Sequence, residues 1–253
     1  MLFVVVTALG IGCATVVGAL IGFCVKKIPH RWNDGLLGFA AGVMLAAAIV
    51  GLILPAAEMI RPGQIWIVAV GIFAGAIFLN LMDFVVPHLH RLSGIDIEQH
   101  PNNEQISRVL LFVLAVAIHN LPEGLAAGVA FGGQNIGNAV SIAAGIALQN
   151  VPEGMIIISP MLLAGFSGKR TFAIALSTGL VEVAGTIIGY FAAMAASAIL
   201  PFALAFAGGT MLYLVGDEMI PETHSHGYEK TATFSLLAGF VLMIGMDVLI
   251  QGG

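Results

Sequence analysis

The sequence predicts an all-α integral membrane protein, an eight-transmembrane-helix bundle. Of its 253 residues, 59% are hydrophobic and only 9% are charged, whereas a soluble domain carries roughly 25% charged residues. The mean hydropathy is +1.02, and apolar stretches of the ~20 residues that cross a bilayer recur along the chain. The 32 glycines include pairs four residues apart, which allow membrane helices to pack closely. This composition favours a helical bundle over a β-barrel, whose strands alternate in polarity.

Apolar stretches and their breaks predict eight spans in one transmembrane domain that covers residues 1–253. The predicted spans are approximately residues 2–25, 35–57, 65–87, 108–131, 137–163, 171–195, 198–220 and 232–250. The longest break is the polar run 89–107, and the weakest is Leu200-Pro201 between the sixth and seventh spans. Five glycine pairs predict close helix contacts: Gly18/Gly22, Gly38/Gly42, Gly71/Gly75, Gly124/Gly128 and Gly185/Gly189.

The distribution of basic residues predicts the orientation of the spans. Eight of the nine Lys and Arg residues lie at odd-numbered loops, and Arg61 alone lies at an even-numbered loop. Because basic residues favour the cytoplasmic side, the odd-numbered loops are expected in the cytoplasm and both termini outside. The chain has no basic patch or stripe, which argues against binding of nucleic acid.

One short polar phrase occurs twice, each time in the middle of a predicted span. Residues 117–124 read Ala-Ile-His-Asn-Leu-Pro-Glu-Gly, and residues 147–154 read Ala-Leu-Gln-Asn-Val-Pro-Glu-Gly. The polar side chains of His, Gln, Asn and Glu are costly inside a membrane, so their presence there indicates a function. The pairs His119/Glu123 and Gln149/Glu153 are each four residues apart and therefore share a helix face. Spans four and five run antiparallel, so the sequence predicts an inverted pseudo-repeat whose motifs meet at mid-membrane, as in many transporters.

The residue types of the repeated phrase predict a metal site. Imidazole nitrogen and carboxylate oxygen suit divalent transition metals, zinc included. Asn120 and Asn150 lie about 100° further round each helix. The proline two residues after each asparagine lacks an N–H and therefore leaves one backbone carbonyl of its helix unpaired. A purely structural alternative is a pair of Pro-kinked helices whose polar groups bond one another. Buried carboxylates need a partner, however, and no basic residue occurs nearby, which favours a cation.

Two further residues at mid-span have open roles. Glu182, in the sixth span, either completes the site or bonds locally to groups such as Thr178. Met44, in the second span, is either a packing residue or a soft ligand.

With these motifs, the chain resembles the ZIP (Zrt/Irt-like protein) family of divalent metal transporters, of prokaryotic type. The resemblance is carried by the doubled Asn-x-Pro-Glu-Gly phrase and by residues 208–222, which end Gly-Asp-Glu-Met-Ile-Pro-Glu. It covers nearly the whole chain, including eight spans with outside termini.

The resemblance implies a site with up to two metal positions. One position would use His119, Glu123, Gln149 and Glu153, with Met44 close by. The second would use Asn120, Asn150 and Glu182, with the two motif glutamates bridging. Some relatives carry His at the position of Gln149 and Asp at that of Asn150. Because this chain has Asn150 where those relatives have a carboxylate, the second position carries less negative charge. The sequence therefore leaves open whether the site holds one ion or two.

The resemblance also implies an entrance, an exit and a cargo. Candidate entrance residues are Glu58 and Asp247. Candidate cytoplasmic exit or sensor residues are His88, His90, His100, Glu222, His224 and His226. The expected activity is import of Zn²⁺, with Cd²⁺, Fe²⁺ and Mn²⁺ as further candidates, across the plasma (cell inner) membrane.

The expected partners are divalent metal ions and the lipid bilayer, and a homodimer through glycine-rich faces is a further expectation. A membrane-embedded zinc metalloenzyme and a metal sensor are the alternative functions. The enzyme is disfavoured because the chain has no His-Glu-x-x-His motif. The sensor is disfavoured because no output domain is evident in the sequence.

Overall fold

The computed structural model describes residues 1–25, 28–92, 101–133, 135–195 and 197–251. These residues are almost entirely helical, and long helical segments follow one another in the order that the sequence predicts. The segments are α1 (Leu2–Val25), α2 (His30–Glu58), α3 (Ile65–Leu92), α4 (Pro101–Gly132), α5 (Ile136–Leu163), α6 (Gly168–Ala195), α7 (Leu200–Thr223) and α8 (Glu229–Gln251).

Seven of these helices, all except α4, are long and apolar enough to cross a membrane within their described residues. Their outer faces are apolar, as Phe73, Phe234 and Leu249 illustrate with exposures of 69%, 73% and 78%. The helix α4 has 32 residues and contains the predicted fourth span. An eighth crossing by α4 remains a prediction.

The helices are longer than the predicted spans. The helix α2 begins at His30 rather than at residue 35, and α3 and α4 reach Leu92 and Pro101, inside the run 89–107 that we expected as a loop. Helical structure extends beyond the predicted spans because hydropathy marks only the residues suited to lipid, while backbone hydrogen bonding continues into polar residues; the span boundaries themselves stay a prediction. The weak division before Pro201 is confirmed: a 3₁₀ turn at Ser197–Ile199 precedes α7, and Pro201 lies in its first turn, where the missing N–H is tolerated.

The predicted glycine pairs all lie at contacts between helices. A Cβ added at Gly18 would lie 2.1 Å from the carbonyl oxygen of Val151, and one at Gly42 would lie 1.9 Å from that of Leu236. Comparable approaches occur at Gly22, Gly38, Gly71, Gly75, Gly124, Gly128, Gly185 and Gly189. The prediction of a closely packed bundle is confirmed. Because these faces are occupied within the chain, they give no support to the expected homodimer.

The helices pack in two groups. In the first group, α4 packs mainly on α6, and α1 packs on both α5 and α6. In the second group, α2 packs mainly on α8, and α3 mainly on α7. Contacts of α5 with α2 and α8, and of α4 with α7, connect the groups. Both copies of the repeated phrase therefore belong to the first group, on the two helices that contact the second.

Two helices of the second group contain a π-helical segment. These segments are Ala47–Ile53 in α2 and Val215–Met219 in α7. Each ends two residues before a proline, Pro55 in α2 and Pro221 in α7. Because proline lacks an N–H and its ring clashes with the preceding turn, a wider turn relieves the crowding there.

Candidate metal centre

The repeated phrase lies largely buried, and one edge of it reaches a cavity. Glu123 and Gln149 are fully buried, whereas the side chain of His119 is 14% exposed and Glu153 is half-buried. His119 and Glu153 both line a cavity of about 600 Å³. The structure therefore brings one residue from each copy of the motif to a common space.

A glycine after each motif glutamate lets its helix approach a neighbour. A Cβ at Gly124 would lie 2.2 Å from the carbonyl oxygen of Glu182 on α6, and one at Gly154 would lie 2.1 Å from that of Thr15 on α1. Only glycine fits such backbone contacts without a shift. The two motifs are thus held by the same kind of contact, each against a different helix.

The two asparagines bind α6, but in different ways. Asn150 Nδ2 donates to Oε1 and Oε2 of Glu182 at 2.7 and 2.6 Å, and Asn120 Nδ2 donates to the carbonyl oxygen of Thr178 at 3.1 Å. Glu182 is fully buried. The side chain of Glu182 therefore hydrogen-bonds to Asn150, a residue of the repeated phrase. The backbone carbonyl of Thr178 accepts its hydrogen bond from Asn120.

Several buried polar atoms of the motifs have no hydrogen-bond partner. They are both carboxylate oxygens of Glu123, both amide atoms of Gln149, and Oδ1 of Asn120 and Asn150. A buried polar atom left unpaired destabilises the protein by about 1–3 kcal/mol. Residues 109–229 contain only two basic residues, Lys169 and Arg170, which lie at the connection between α5 and α6. The unpaired oxygen and amide atoms of the motifs form a donor set suited to a cation.

His119 is engaged by a residue of α7. Its Nε2 lies 3.1 Å from both Oε1 and Oε2 of Glu218, which is carried on the π-helical segment Val215–Met219. Within the described part of the chain, no three His, Cys, Asp or Glu side chains converge closely enough to hold a metal ion. Assembly of a metal site around His119 thus requires movement of side chains.

The cavity opens at one end of the helical assembly. It is lined by Asn33 at the start of α2 and by Glu222 and Ser225 at the end of α7. The odd-numbered loops lie at this end of the assembly. A second cavity, of about 360 Å³, lies at the opposite end and is not lined by any residue of the repeated phrase.

Packed residues separate the two cavities. Along α2 and α5, Met44, Ile142 and Ile146 lie between residues that line the cavities, and all three are fully buried. Asn138 Nδ2 also donates to the carbonyl oxygen of Gly51 at 2.8 Å, which joins α5 to α2 beside the second cavity. The motif is therefore accessible from the end of the odd-numbered loops.

The candidate entrance residues lie together. Glu58 and Asp247 both line the second cavity, and Asp247 accepts a hydrogen bond from Gln251 Nε2 at 2.5 Å.

The candidate exit residues are less uniform. Glu222 lines the first cavity, and His226 contacts Asp34. His224 instead donates its Nδ1–H to the carbonyl oxygen of Ile220 at 2.8 Å. His100 and the side chains of His88 and His90 lie outside the described residues.

Sequence reasoning did not assign roles to Glu218 and Asp34. Glu218 stands in the phrase 216–222 that carried the resemblance, four residues before Glu222, so its spacing could have drawn attention. Asp34 lies four residues after His30, a spacing that places both on one helix face.

Helices of membrane length around a buried set of carboxylates, amides and an imidazole define a multi-pass membrane protein with an interior suited to cations. Residues 95–247 match the family described as "ZIP Zinc transporter". The chain is 38% identical to zinc transporter GufA of Myxococcus xanthus over 249 residues, which cover 96% of this chain and 97% of that protein.

Two further relatives are similar over most of their length. Zinc transporter ZIPB of Bordetella bronchiseptica is 37% identical over 240 residues, covering 92% of this chain and 77% of ZIPB. Zinc transporter ZIP11 of Homo sapiens is 32% identical over 318 aligned positions, covering 92% and 93%. The chain therefore belongs to the ZIP family of zinc transporters. These relatives are named transporters and not enzymes, in agreement with the expectation from the sequence.

Proposed function

We propose that the chain imports Zn²⁺ across the plasma (cell inner) membrane through a mid-membrane site on α4 and α5. The proposal rests mainly on the unpartnered, buried oxygen and nitrogen atoms of the two motifs. The names of the relatives support zinc as the cargo.

Two metal positions are proposed. The first uses His119, Glu123, Gln149 and Glu153, with Met44 nearby on α2. The second uses Asn120, Asn150 and Glu182, with Glu123 and Glu153 bridging. Support for the second comes from the contact between Asn150 and Glu182.

The proposed topology has eight spans and both termini outside. In that orientation the 600 Å³ cavity faces the cytoplasm, and the cavity with Glu58 and Asp247 faces outward as the entrance. Movement of one helix group against the other would alternate the access of the site.

The proposed exit begins at His119. Glu218 holds the same imidazole that would bind the ion, so the carboxylate and the ion compete for it. An ion displaced toward Glu218 would next meet Glu222, one helical turn on. His88, His90, His224 and His226 are proposed as further exit or sensor residues.

The proposed cargo range includes Cd²⁺, Fe²⁺ and Mn²⁺ beside Zn²⁺, since imidazole, carboxylate and amide groups bind all of these ions. A homodimer would have to use faces other than the glycine pairs described above.

Zinc entry into liposomes that carry the purified protein tests the proposal. Glu153→Gln keeps the shape of the side chain and removes its charge, so entry should fall to the level of protein-free liposomes. Glu229→Gln, an equal change at the start of α8, should keep the wild-type rate. Normal entry through a monodisperse Glu153→Gln protein would overturn the proposed path. Zinc binding without entry by the wild-type chain would favour a sensor or an enzyme.

A further inference from the structure

One side-chain hydrogen bond joins the two helix groups beside the second cavity. Asn138, in the first turn of α5, donates from Nδ2 to the carbonyl oxygen of Gly51 on α2 at 2.8 Å. The backbone N–H of Asn138 donates to Asn135 Oδ1 at 3.0 Å, which caps the start of α5. The amide is thus fixed to a helix of the first group, so it can hold Gly51 only while the two groups stay together.

The acceptor is a carbonyl that its own helix cannot pair in the α-helical way. The α-helical donor to Gly51 would be the N–H of the residue four positions on. That residue is Pro55, which has no N–H, and Gly51 itself lies in the π-helical segment Ala47–Ile53. Asn138 therefore supplies, from the other helix group, a donor that α2 lacks at this position.

This contact adjoins the packed residues that separate the two cavities. A Cβ added at Gly51 would lie 2.7 Å from Ile142 Cγ1, and Ile142 is fully buried one turn along α5 from Asn138. Asn138 itself lines the second cavity but is only 7% exposed. Parting Asn138 from Gly51 would therefore also loosen the packing at Ile142.

The amide of Asn138 is satisfied at one end only. Its Oδ1 is buried and has no hydrogen-bond partner among the described residues, whereas Nδ2 has the carbonyl of Gly51. A buried polar atom left unpaired is destabilising. Water that enters between α2 and α5 from the second cavity would pair Oδ1 as well as the two groups of the broken contact. Opening therefore recovers part of the stabilisation that it loses, which suits a contact that breaks and re-forms.

We propose that Asn138 is a positioning residue of transport, a latch that holds the π-helical segment of α2 against α5. While Asn138 holds Gly51, the second cavity stays separated from the repeated motif. When the contact breaks, the segment Ala47–Ile53 moves away from Ile142 and the separation is lost. The inference rests on the proposed alternation of access for its role in transport, and it assigns a residue outside the metal positions, the entrance and the exit.

Thiol labelling of the purified full-length chain in detergent tests the latch. The reporter is Ile142→Cys, in a background that carries Cys13→Ser and Cys24→Ser, and the probe is a charged, water-soluble maleimide. Asn138→Leu keeps the size of the side chain and removes its hydrogen bond. It should raise the initial labelling rate of the reporter about fivefold, the population shift expected from the loss of one hydrogen bond.

Two controls separate a latch from a general loosening of the protein. Asn80→Leu is the same change at an amide whose Nδ2 donates to Tyr213 Oη at 2.7 Å. That contact joins α3 to α7 within the second group, so the labelling rate should stay unchanged. A second reporter, Ala175→Cys, is fully buried in a cluster within the first group and should keep its rate in Asn138→Leu.

A change in α2 tests whether Asn138 acts through the carbonyl of Gly51. Pro55→Ala restores the missing N–H, so this carbonyl gains a donor from its own helix and depends less on Asn138. In a Pro55→Ala background, Asn138→Leu should therefore raise the labelling rate clearly less than fivefold. Such non-additivity is expected of two residues that serve one acceptor, and a full fivefold rise there would show that Asn138 does not act through Gly51.

The remaining outcomes decide the proposal without reference to zinc. An unchanged labelling rate of Ile142→Cys in Asn138→Leu would overturn the latch, and so would an equal rise at Ala175→Cys. Should Asn138→Leu fail to fold, Asn138→Ser decides the question, because its shorter side chain cannot reach Gly51. Labelling requires neither zinc nor an oriented membrane, so a failure of the proposed zinc transport would leave its result unaffected.

Discussion

Replacing Gly124 by alanine tests whether the close contact between α4 and α6 positions the site. The added Cβ would lie 2.2 Å from the carbonyl oxygen of Glu182 and 2.9 Å from the amide nitrogen of Thr186. Ordinary van der Waals contact begins at 3.4 Å. The two helices must therefore separate by about 1.2 Å at this point.

The substitution is expected to lower both the stability and the transport rate. Overpacking a core costs about 1–3 kcal/mol, and the better helix propensity of alanine offsets about 1 kcal/mol of that. The remainder corresponds to a fall of a few degrees in the unfolding temperature. A binding site tolerates displacements of only about 0.5 Å, so the separation should disturb Asn120 and Glu182. We expect the initial rate of Zn²⁺ entry to fall roughly tenfold or more.

The assay compares initial zinc entry into liposomes and unfolding temperature for matched glycine variants. Gly10→Ala on α1 is the control, because a Cβ there has nothing within 4 Å, and it should leave the rate unchanged. Gly154→Ala should behave as Gly124→Ala does, since its Cβ would lie 2.1 Å from the carbonyl oxygen of Thr15. Wild-type rate and stability in Gly124→Ala would refute the reasoning that this backbone contact sets the geometry of the site.

Two further predictions concern the ions themselves. Asn150→Asp removes the donor that serves both oxygens of Glu182 and adds a carboxylate, so we expect the second Zn²⁺ position to bind its ion more tightly; an unchanged affinity for the second Zn²⁺ in equilibrium dialysis would contradict that position. Zinc entry should slow as the pH falls from about 7.5 to about 5.5, because zinc ligands must be deprotonated; a rate that stays constant over that interval would argue against direct binding to His119 and the glutamates.

The fold followed closely from sequence because its determinants are local. Spans of apolar residues and glycines at helical spacing specify each helix and its contact face, and the contacts at Gly18 and Gly42 confirm this. The helix ends were less predictable. The boundaries of α3 and α4 depend on hydrogen bonding outside the bilayer, which hydropathy does not measure.

The site was predictable only in part, since its motif is local but its contacts are not. The spacing of His119 and Glu123 could be read directly from a helical period. The contact of His119 with Glu218 joins residues 99 positions apart, and that of Asp34 with His226 spans 192 positions. Such contacts depend on how whole helices pack, as does the end at which the cavity opens.

The π-helical segment Val215–Met219 also has a consequence for comparing related chains. A π-helical turn holds one residue more than an α-helical turn, and one residue corresponds to about 100° of rotation. Deleting a single residue there would restore α-helical geometry and turn Glu218 away from His119, while leaving the sequence around it almost unchanged. Alignments of this family should thus be examined for one-residue gaps at this point, because two chains that carry the same letters on either side of such a gap would present different side chains to the cavity.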